Sequence, residues 1–390
     1  MIDPQFFLNQ LDAHGTDFFT GVPDSLLKSF CAFVTDNSGT DKHIIAVNEG
    51  AAVALAAGYH LASGKIPLVY MQNSGIGNAV NPLLSLAGIY RLPMVLLIGW
   101  RGEPDTEFKD EPQHYIQGKV TCALFDAMEI PYIVLSDNEN DVKTQIDKCY
   151  AKINADKTPY ALIVRKDTFS SYTLSSDAPP DVNEKMTREE AIEEIILSSS
   201  EKEVFISTTG MASRELFELR NKYNTGHERD FLTVGSMGHA SSIALAAALT
   251  KKDRPVTCID GDGAALMHLG SLAAIGERKP QNLRHIVLNN GAHDSVGGQP
   301  TIAQKINLCA VARGCGYKSV YLTNNKYELR HALRETQINS AASCDIPDES
   351  KGPFFIEVIV RKGGRKDLGR PDITPEENKK MFMQFLDKGK

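Results

Sequence analysis

The sequence has no paired-cysteine motif, no long apolar run and no excess of positive charge, and each lack excludes something. Its seven cysteines, at 31, 122, 149, 258, 309, 315 and 344, are odd in number and form no Cys-x-x-Cys pair. They read as reduced thiols of a cytoplasmic protein, not as a disulfide frame or a zinc site. Apolar runs such as Met94 to Ile98 fall far short of the ~20 residues that a membrane helix needs. Lys and Arg number 42 against 49 Asp and Glu, a net charge of −7. That balance gives no electrostatic reason to bind nucleic acid broadly or to coat an anionic membrane. The start, Met1-Ile2-Asp3-Pro4, lacks a basic segment followed by an apolar one, so no secretory leader is expected.

What is present is ordinary globular composition, 42 % hydrophobic and 23 % charged, over 390 residues. That length is too great for one simple core and suits two domains. Short apolar or β-branched runs alternate with helical patterns from end to end. Phe18-Phe19, Ile66 to Tyr70, Pro93 to Ile98, Tyr132 to Leu135 and Tyr160 to Val164 read as strands in the first half. Val204 to Ile206, Phe231 to Val234, Val256 to Ile259, Leu283 to Leu288 and Phe354 to Val358 follow in the second. Between them lie helical stretches such as Ala51 to Ala62, Asn78 to Tyr90, Ala240 to Leu249 and Leu266 to Glu277. Alternation of this kind predicts an α/β protein: two parallel-sheet domains with helices on both faces. Ser, Pro and acidic residues without apolar period mark a linker at 173–186, between domains at 1–172 and 187–390. Thr187 and Glu190 predict a capping box where the second domain's first helix starts. The halves echo each other: Pro67 and Pro255 open matching strands, Gly75 and Gly263 close matching turns, and both pairs stand 188 residues apart. A duplicated domain is the expectation.

The strongest chemical signal is Gly261-Asp262-Gly263 after one strand and Asn289-Asn290-Gly291 after the next. The 28 residues from Asp262 to Asn290 equal one helix plus one strand, so in a parallel sheet both turns lie at one edge. Asp262 supplies an anionic oxygen, Asn290 an amide oxygen and Ala292 a main-chain carbonyl, a set suited to Mg²⁺. The glycines let the backbone approach a diphosphate, and the following helix, expected from about Ala264, adds N–H donors. Three first-half loops gather at one sheet edge in the same way. They are Gly21 to Asp24, Gln72 to Asn78, and Trp100 to Pro104 with Lys109 to His114.

Gly-Asp-Gly followed by Asn-Asn resembles the diphosphate and metal motif of thiamine diphosphate enzymes. Gly235-Ser236-Met237-Gly238 resembles that family's turn beneath the cofactor, whose bulky residue, here Met237, holds the two rings in a V. Asn48-Glu49-Gly50-Ala51-Ala52 resembles the pyrimidine-domain helix, whose leading Glu bonds the aminopyrimidine. The resemblance therefore implies bound thiamine diphosphate and Mg²⁺. The cofactor site would draw on Glu49, Thr209, Gly210, Ser236, Met237, Gly261, Asp262, Gly263, Ala264 and Asn290, and the metal site on Asp262, Asn290 and Ala292. Many relatives carry a middle domain, for which the linker leaves no room. The loops around Lys109 to His114 and Asn289 to Gln299, with the tail Asp367 to Pro371, resemble the phosphonopyruvate decarboxylase family over nearly the whole chain, with sulfopyruvate decarboxylase a close relative.

That resemblance implies decarboxylation of 3-phosphonopyruvate to phosphonoacetaldehyde and CO₂ in phosphonate biosynthesis. Glu49 would hold the proton relay to the aminopyrimidine. An acid must return a proton to the substrate; Asp24 and His114 are the expected donors, with His293 or Asp294 assisting. Some decarboxylase relatives place an acid six positions after the metal-binding Asn, where this chain has Val296, so a distinct donor arrangement is expected. The phosphonate needs cationic or multiple N–H donors, for which Arg101, Lys109, Asn73 and Ser74 are the candidates. Rival readings are a sulfopyruvate decarboxylase, an acetohydroxyacid synthase-like carboligase, and a non-enzymatic interaction protein on a vestigial cofactor fold. The family pattern also implies a homo-oligomer with sites at the subunit interface.

Overall fold

Twelve strands in two separate sheets organise the described residues of the computed structural model, which are 1–104, 106, 110–175, 185–337 and 352–388. The chain divides into two compact units between residues 178 and 179, the short loop Ser295–Gln299 apart. Positions 176–184, most of the expected linker, lie outside the described residues. The first unit carries β1 Phe19–Gly21, β2 His43–Ile45, β3 Leu68–Gln72, β4 Val95–Gly99, β5 Tyr132–Val134 and β6 Tyr160–Val164. They pair in the order β2-β1-β3-β4-β6-β5, all parallel. The second carries β7 Val204–Ser207, β8 Asp230–Leu232, β9 Val256–Gly261, β10 Leu283–Asn289, β11 Ser319–Thr323 and β12 Phe354–Ile359. Their order is β11-β12-β10-β9-β7-β8, again all parallel.

Read from its other edge and counted within its own unit, the second sheet runs 2-1-3-4-6-5, which is also the order of the first. Pro67 and Pro255 each stand one residue before the third strand of their sheet. The 188-residue echo is thus an echo of topology.

Parallel sheets are covered on both faces, so their inner strands are apolar on both. In β4, Val95 and Leu97 pack into one core, while Leu96 and Ile98 pack into a second on the opposite face. The second unit repeats this, with Ile286 and Leu288 of β10 in one core and Leu283 and Val287 in the other. Each such side chain, fully withdrawn from water, contributes about 1.5–3 kcal/mol. The sequence reading misses β2 and β11, and both are edge strands. Ile44 and Leu322 are exposed there, so neither segment carries the doubly apolar signature of a central strand.

Thr187 does cap the helix Arg188–Leu197, with Glu190 closing the box. The helix expected over Leu266 to Glu277 is two pieces, Asp262–Met267 and Ser271–Arg278. It breaks at His268, whose backbone leaves the helical region (φ −130°, ψ 51°). The first piece also begins two residues earlier than expected, directly at Asp262. The helix from Ile76 passes Pro82 into a wider π turn over Leu83–Gly88; proline has no N–H to donate and crowds the preceding turn. The six described cysteines are free, and among the described residues no helix is long and apolar enough to cross a membrane.

Candidate active site

In the first unit the carboxyl ends of β1, β3 and β4 hold one hydrogen-bonded loop system. Asp24, after β1, is fully buried. Its Oδ1 accepts from Gln72 Nε2 at 2.6 Å and its Oδ2 from the Leu26 N–H at 3.0 Å. Burial pushes its pKa up against those two donors. A Cβ at Gly99 would strike this carboxyl, which is why β4 ends in glycine. The Ser74 hydroxyl donates to Gln72 Oε1 at 2.6 Å, so Ser74, Gln72 and Asp24 form a chain. Asn73 is buried and cross-links loops: its Nδ2 donates to Arg101 O at 2.8 Å and to Thr121 Oγ1 at 2.9 Å. Its Oδ1 accepts the Arg101 N–H at 3.2 Å.

The Arg101 guanidinium grips Asp110 through Nε and Nη2 and Ser25 Oγ through Nη1. Burial alone would raise the Asp110 pKa, but Arg101 outweighs it and holds the carboxyl down at about 2. The charge of Arg101 is therefore matched within its own loop. His114 opens the helix His114–Ala127 and is buried. Its Nδ1 has no hydrogen-bond partner among the described residues, and burial, then Arg101, lowers its pKa. A neutral imidazole with a bare nitrogen can accept or relay a proton. Lys109 lies outside the described residues.

Glu49 begins the helix Glu49–Ser63, behind the N-cap Asn48, which accepts from the Ala51 N–H at 2.8 Å. Its carboxyl is buried, accepts from Asn78 Nδ2 at 2.7 Å, and has its pKa raised by that burial. A Cβ at Gly75 would fall 2.6 Å from its Cδ. The glycine of the β3 turn thus makes the room in which this carboxyl lies.

In the second unit four strand ends carry the expected turns: Thr209-Gly210 after β7, Gly235 to Gly238 after β8, Gly261 to Gly263 after β9, and Asn289 to Gly291 after β10. Gly210 (φ 93°) starts the helix Met211–Tyr223. Ser236 and Gly238 both take positive φ, 53° and 84°, turning the chain so that Met237 meets Gly263. A Cβ on Gly263 would come within 3.3 Å of the Met237 terminal methyl and of His293 Nδ1. Ala264, one residue on, is buried in the helix that Asp262 begins.

Register places Leu288 opposite Gly261, so Asp262 and Asn290 leave neighbouring strands almost level. Thr301 joins them: its hydroxyl donates to Asp262 Oδ2 at 2.5 Å and its N–H to Gly291 O at 2.9 Å. Asp262 is buried, and that burial raises its pKa to about 6. Asn290 Oδ1 accepts from the Ala292 N–H at 3.0 Å, and its Nδ2 donates to Asp294 Oδ2 at 2.6 Å. A buried carboxylate, with an amide oxygen and a main-chain carbonyl on the turn that Thr301 ties to it, is a hard donor set of the kind that suits a Mg²⁺ ion. Asp294 also accepts from Arg188 Nη1 at 3.2 Å and from the Gly363 N–H at 2.9 Å. Burial lowers the His293 pKa to about 4, so its ring is neutral near pH 7.

The sequence reading misses Gln72 as the partner of Asp24, Asn78 as the partner of Glu49, and Thr301 and Arg188 behind the metal turn. Gln72 and Asn78 were visible as polar residues at the ends of one loop. Thr301 follows Gly-Gly-Gln-Pro, a turn signal in itself. Arg188 looks like any basic residue of an exposed helix start, and nothing local distinguishes it.

Residues 4–130 match the N-terminal TPP binding domain of thiamine pyrophosphate enzymes, and residues 208–358 match the C-terminal TPP binding domain. Fold and site together define the class, an enzyme built on two cofactor-binding domains. Over 385 residues the chain is 34 % identical to phosphonopyruvate decarboxylase of Streptomyces viridochromogenes, with 95 % of this chain and 92 % of that one covered. It is 34 % identical over 398 residues to phosphonopyruvate decarboxylase of Streptomyces hygroscopicus, with 99 % and 94 % covered. Sulfopyruvate decarboxylase of Methanosarcina acetivorans is 26 % identical over 395 residues, with 96 % and 95 % covered. The chain belongs to the phosphonopyruvate decarboxylase family of thiamine pyrophosphate enzymes.

Proposed function

We propose that this enzyme decarboxylates 3-phosphonopyruvate to phosphonoacetaldehyde and CO₂, with thiamine diphosphate held through Mg²⁺. The observation that carries the reading is the pair of half-sites. A buried carboxyl, Glu49, opens one helix at a sheet edge, and the Asp262–Asn290 donor set opens the matching edge of the second sheet. Asp262, Asn290 and the Ala292 carbonyl would hold the ion, and Gly261 and Gly263 would admit the diphosphate. Met237 would set the bend between the cofactor rings. When bound, the cofactor supplies an electron sink for the carbanion left as CO₂ departs. Glu49 would hold a proton at the cofactor's pyrimidine nitrogen, since a desolvated carboxyl shares one readily.

His114 and Asp24 are the groups of the first unit suited to proton return. His114 offers a bare nitrogen, and Asp24 communicates through Gln72 with the Ser74 hydroxyl. Asp294, bound by three donors, is better suited to bracing its loop than to moving protons. Arg101 would contribute to phosphonate binding as the Arg101–Asp110 pair, with Lys109, Asn73 and Ser74 completing the donors. The same reading includes a cytoplasmic setting and a homo-oligomer with sites at the subunit interface.

The test is aldehyde formation by purified protein with thiamine diphosphate and Mg²⁺, offered 3-phosphonopyruvate, 3-sulfopyruvate and pyruvate in parallel. Preference for the phosphonate by more than about tenfold, or ~1.4 kcal/mol in the barrier, is the expected result. Preference for the sulfonate replaces the substrate and keeps the mechanism. Cofactor binding without turnover of any of the three overturns the decarboxylase reading.

A further inference from the structure

We propose that Arg188 is a positioning residue for the metal site, acting through Asp294 on the ligand Asn290. The inference rests on the Mg²⁺ reading above and goes beyond it to a residue outside every motif. Arg188 is buried at the first turn of its helix. Its Nε and Nη2 donate to the two Glu215 oxygens at 2.7 and 2.9 Å, and Nη1 donates to Asp294 Oδ2 at 3.2 Å. The same Asp294 oxygen accepts from Asn290 Nδ2 at 2.6 Å and from the Gly363 N–H at 2.9 Å.

Three donors on one oxygen leave Asp294 little freedom. With its NH₂ held by Asp294, Asn290 has its carbonyl oxygen aimed by elimination. That oxygen accepts the Ala292 N–H with one lone pair and offers the other to the ion. Arg188 does a second thing. A free carboxylate four residues from Asn290 would compete with an amide oxygen for a hard cation. Arg188, whose positive charge Asp294 shares with Glu215, ties up the Asp294 oxygen and keeps that carboxylate a brace instead of a rival ligand.

The clamp is locked from behind. Gly364 lies so close that a Cβ there would stand 3.1 Å from both Arg188 Nη2 and the Met211 methyl. Arg365 ties the same segment to Glu189 and Glu218, and the Gly369 N–H donates to Glu218 Oε1 at 2.5 Å. The segment after β12 therefore presses Arg188 onto Asp294, connecting a part of the chain remote in sequence to the metal ligand.

The experiment is a Mg²⁺ titration of thiamine diphosphate binding, read by calorimetry on full-length protein without substrate. Arg188→Met and Asp294→Asn are each expected to raise the Mg²⁺ half-saturation about tenfold or more, the usual consequence of losing a partner that orients a ligand. The double variant is expected to be no worse than the worse single one, because both act through one contact. Arg188→Lys keeps the charge but not the fork, and is expected to fall between wild type and Arg188→Met. It also serves should the methionine variant fail to fold. A residue of purely structural value would lower the melting temperature of the cofactor-free protein and leave the Mg²⁺ half-saturation unmoved. That result, in either Arg188 variant, overturns the proposal alone. A wild-type protein whose cofactor binding needs no divalent ion overturns the metal reading and this inference together.

Discussion

Two buried carboxyls divide the proposed chemistry, and burial raises the pKa of each. In that reading Glu49 shares a proton with the cofactor, and Asp262 is completed by an ion. Glu49→Gln keeps the shape and the Asn78 contact but removes the proton. Turnover is expected to fall about 10²–10⁴-fold, the range of a lost acid–base group, while calorimetry shows cofactor binding little changed. Full activity in that variant would remove the mechanism at its root. Asp262 gives a pH prediction. Its pKa in the metal-free fold is about 6, against an ordinary 3.8, so the fold binds the proton more tightly than the unfolded chain does. The metal-free protein should therefore lose stability as pH rises through that window, on the order of 3 kcal/mol in all. Mg²⁺ binding should run the opposite way, weakening about tenfold per unit as pH drops below 6, because the proton competes for the ligand. Melting curves with and without Mg²⁺ between pH 4 and 8 check both signs.

At the scale of the elements, what was legible in the sequence depended on whether the signal was local. Central strands such as Val95–Gly99 announce themselves because both faces are buried, whereas β2 and β11 do not because edge positions tolerate polar or exposed residues. Gly-Asp-Gly and Asn-Asn were readable because spacing and topology bring them together. Their supports were not, since Thr301 and Arg188 reach the site only through tertiary contacts. The interruption at His268 escaped for the opposite reason: the apolar period runs on through it, Leu266, Leu272 and Ile275 all facing one core. Packing on the central strand yields a direct test. Leu97 is fully buried between β3 and β6, and Leu97→Ala should cost about 2–5 kcal/mol by lost transfer energy and cavity. Urea unfolding should show this as a lowered midpoint with an unchanged slope. A loss below about 1 kcal/mol would mean that β4 collapses around the gap.

For the whole molecule, the decisive fact is that one strand order serves twice. A fold that binds ligands at the carboxyl edge of its strands, once duplicated, offers two edges, and the two edges here carry different chemistry: Glu49 on one, Asp262 and Asn290 on the other. In the proposed reading one cofactor has two ends to be held, so an active site would need one edge of each kind. In the proposed oligomer these come from different chains, and that arrangement can be tested without a structure of the assembly. Glu49→Gln and Asp262→Ala should each be inactive alone. Mixed, and allowed to exchange subunits, they form hybrids in which one site carries both lesions and the other carries neither. Activity should then recover toward about a quarter of wild type, since half the dimers are hybrids and half their sites are intact. Were both halves of each site drawn from a single chain, every site in the mixture would keep one lesion and no activity would return. Recovery that tracks subunit exchange, followed by light scattering and aldehyde formation on the same samples, therefore decides whether two chains build each site.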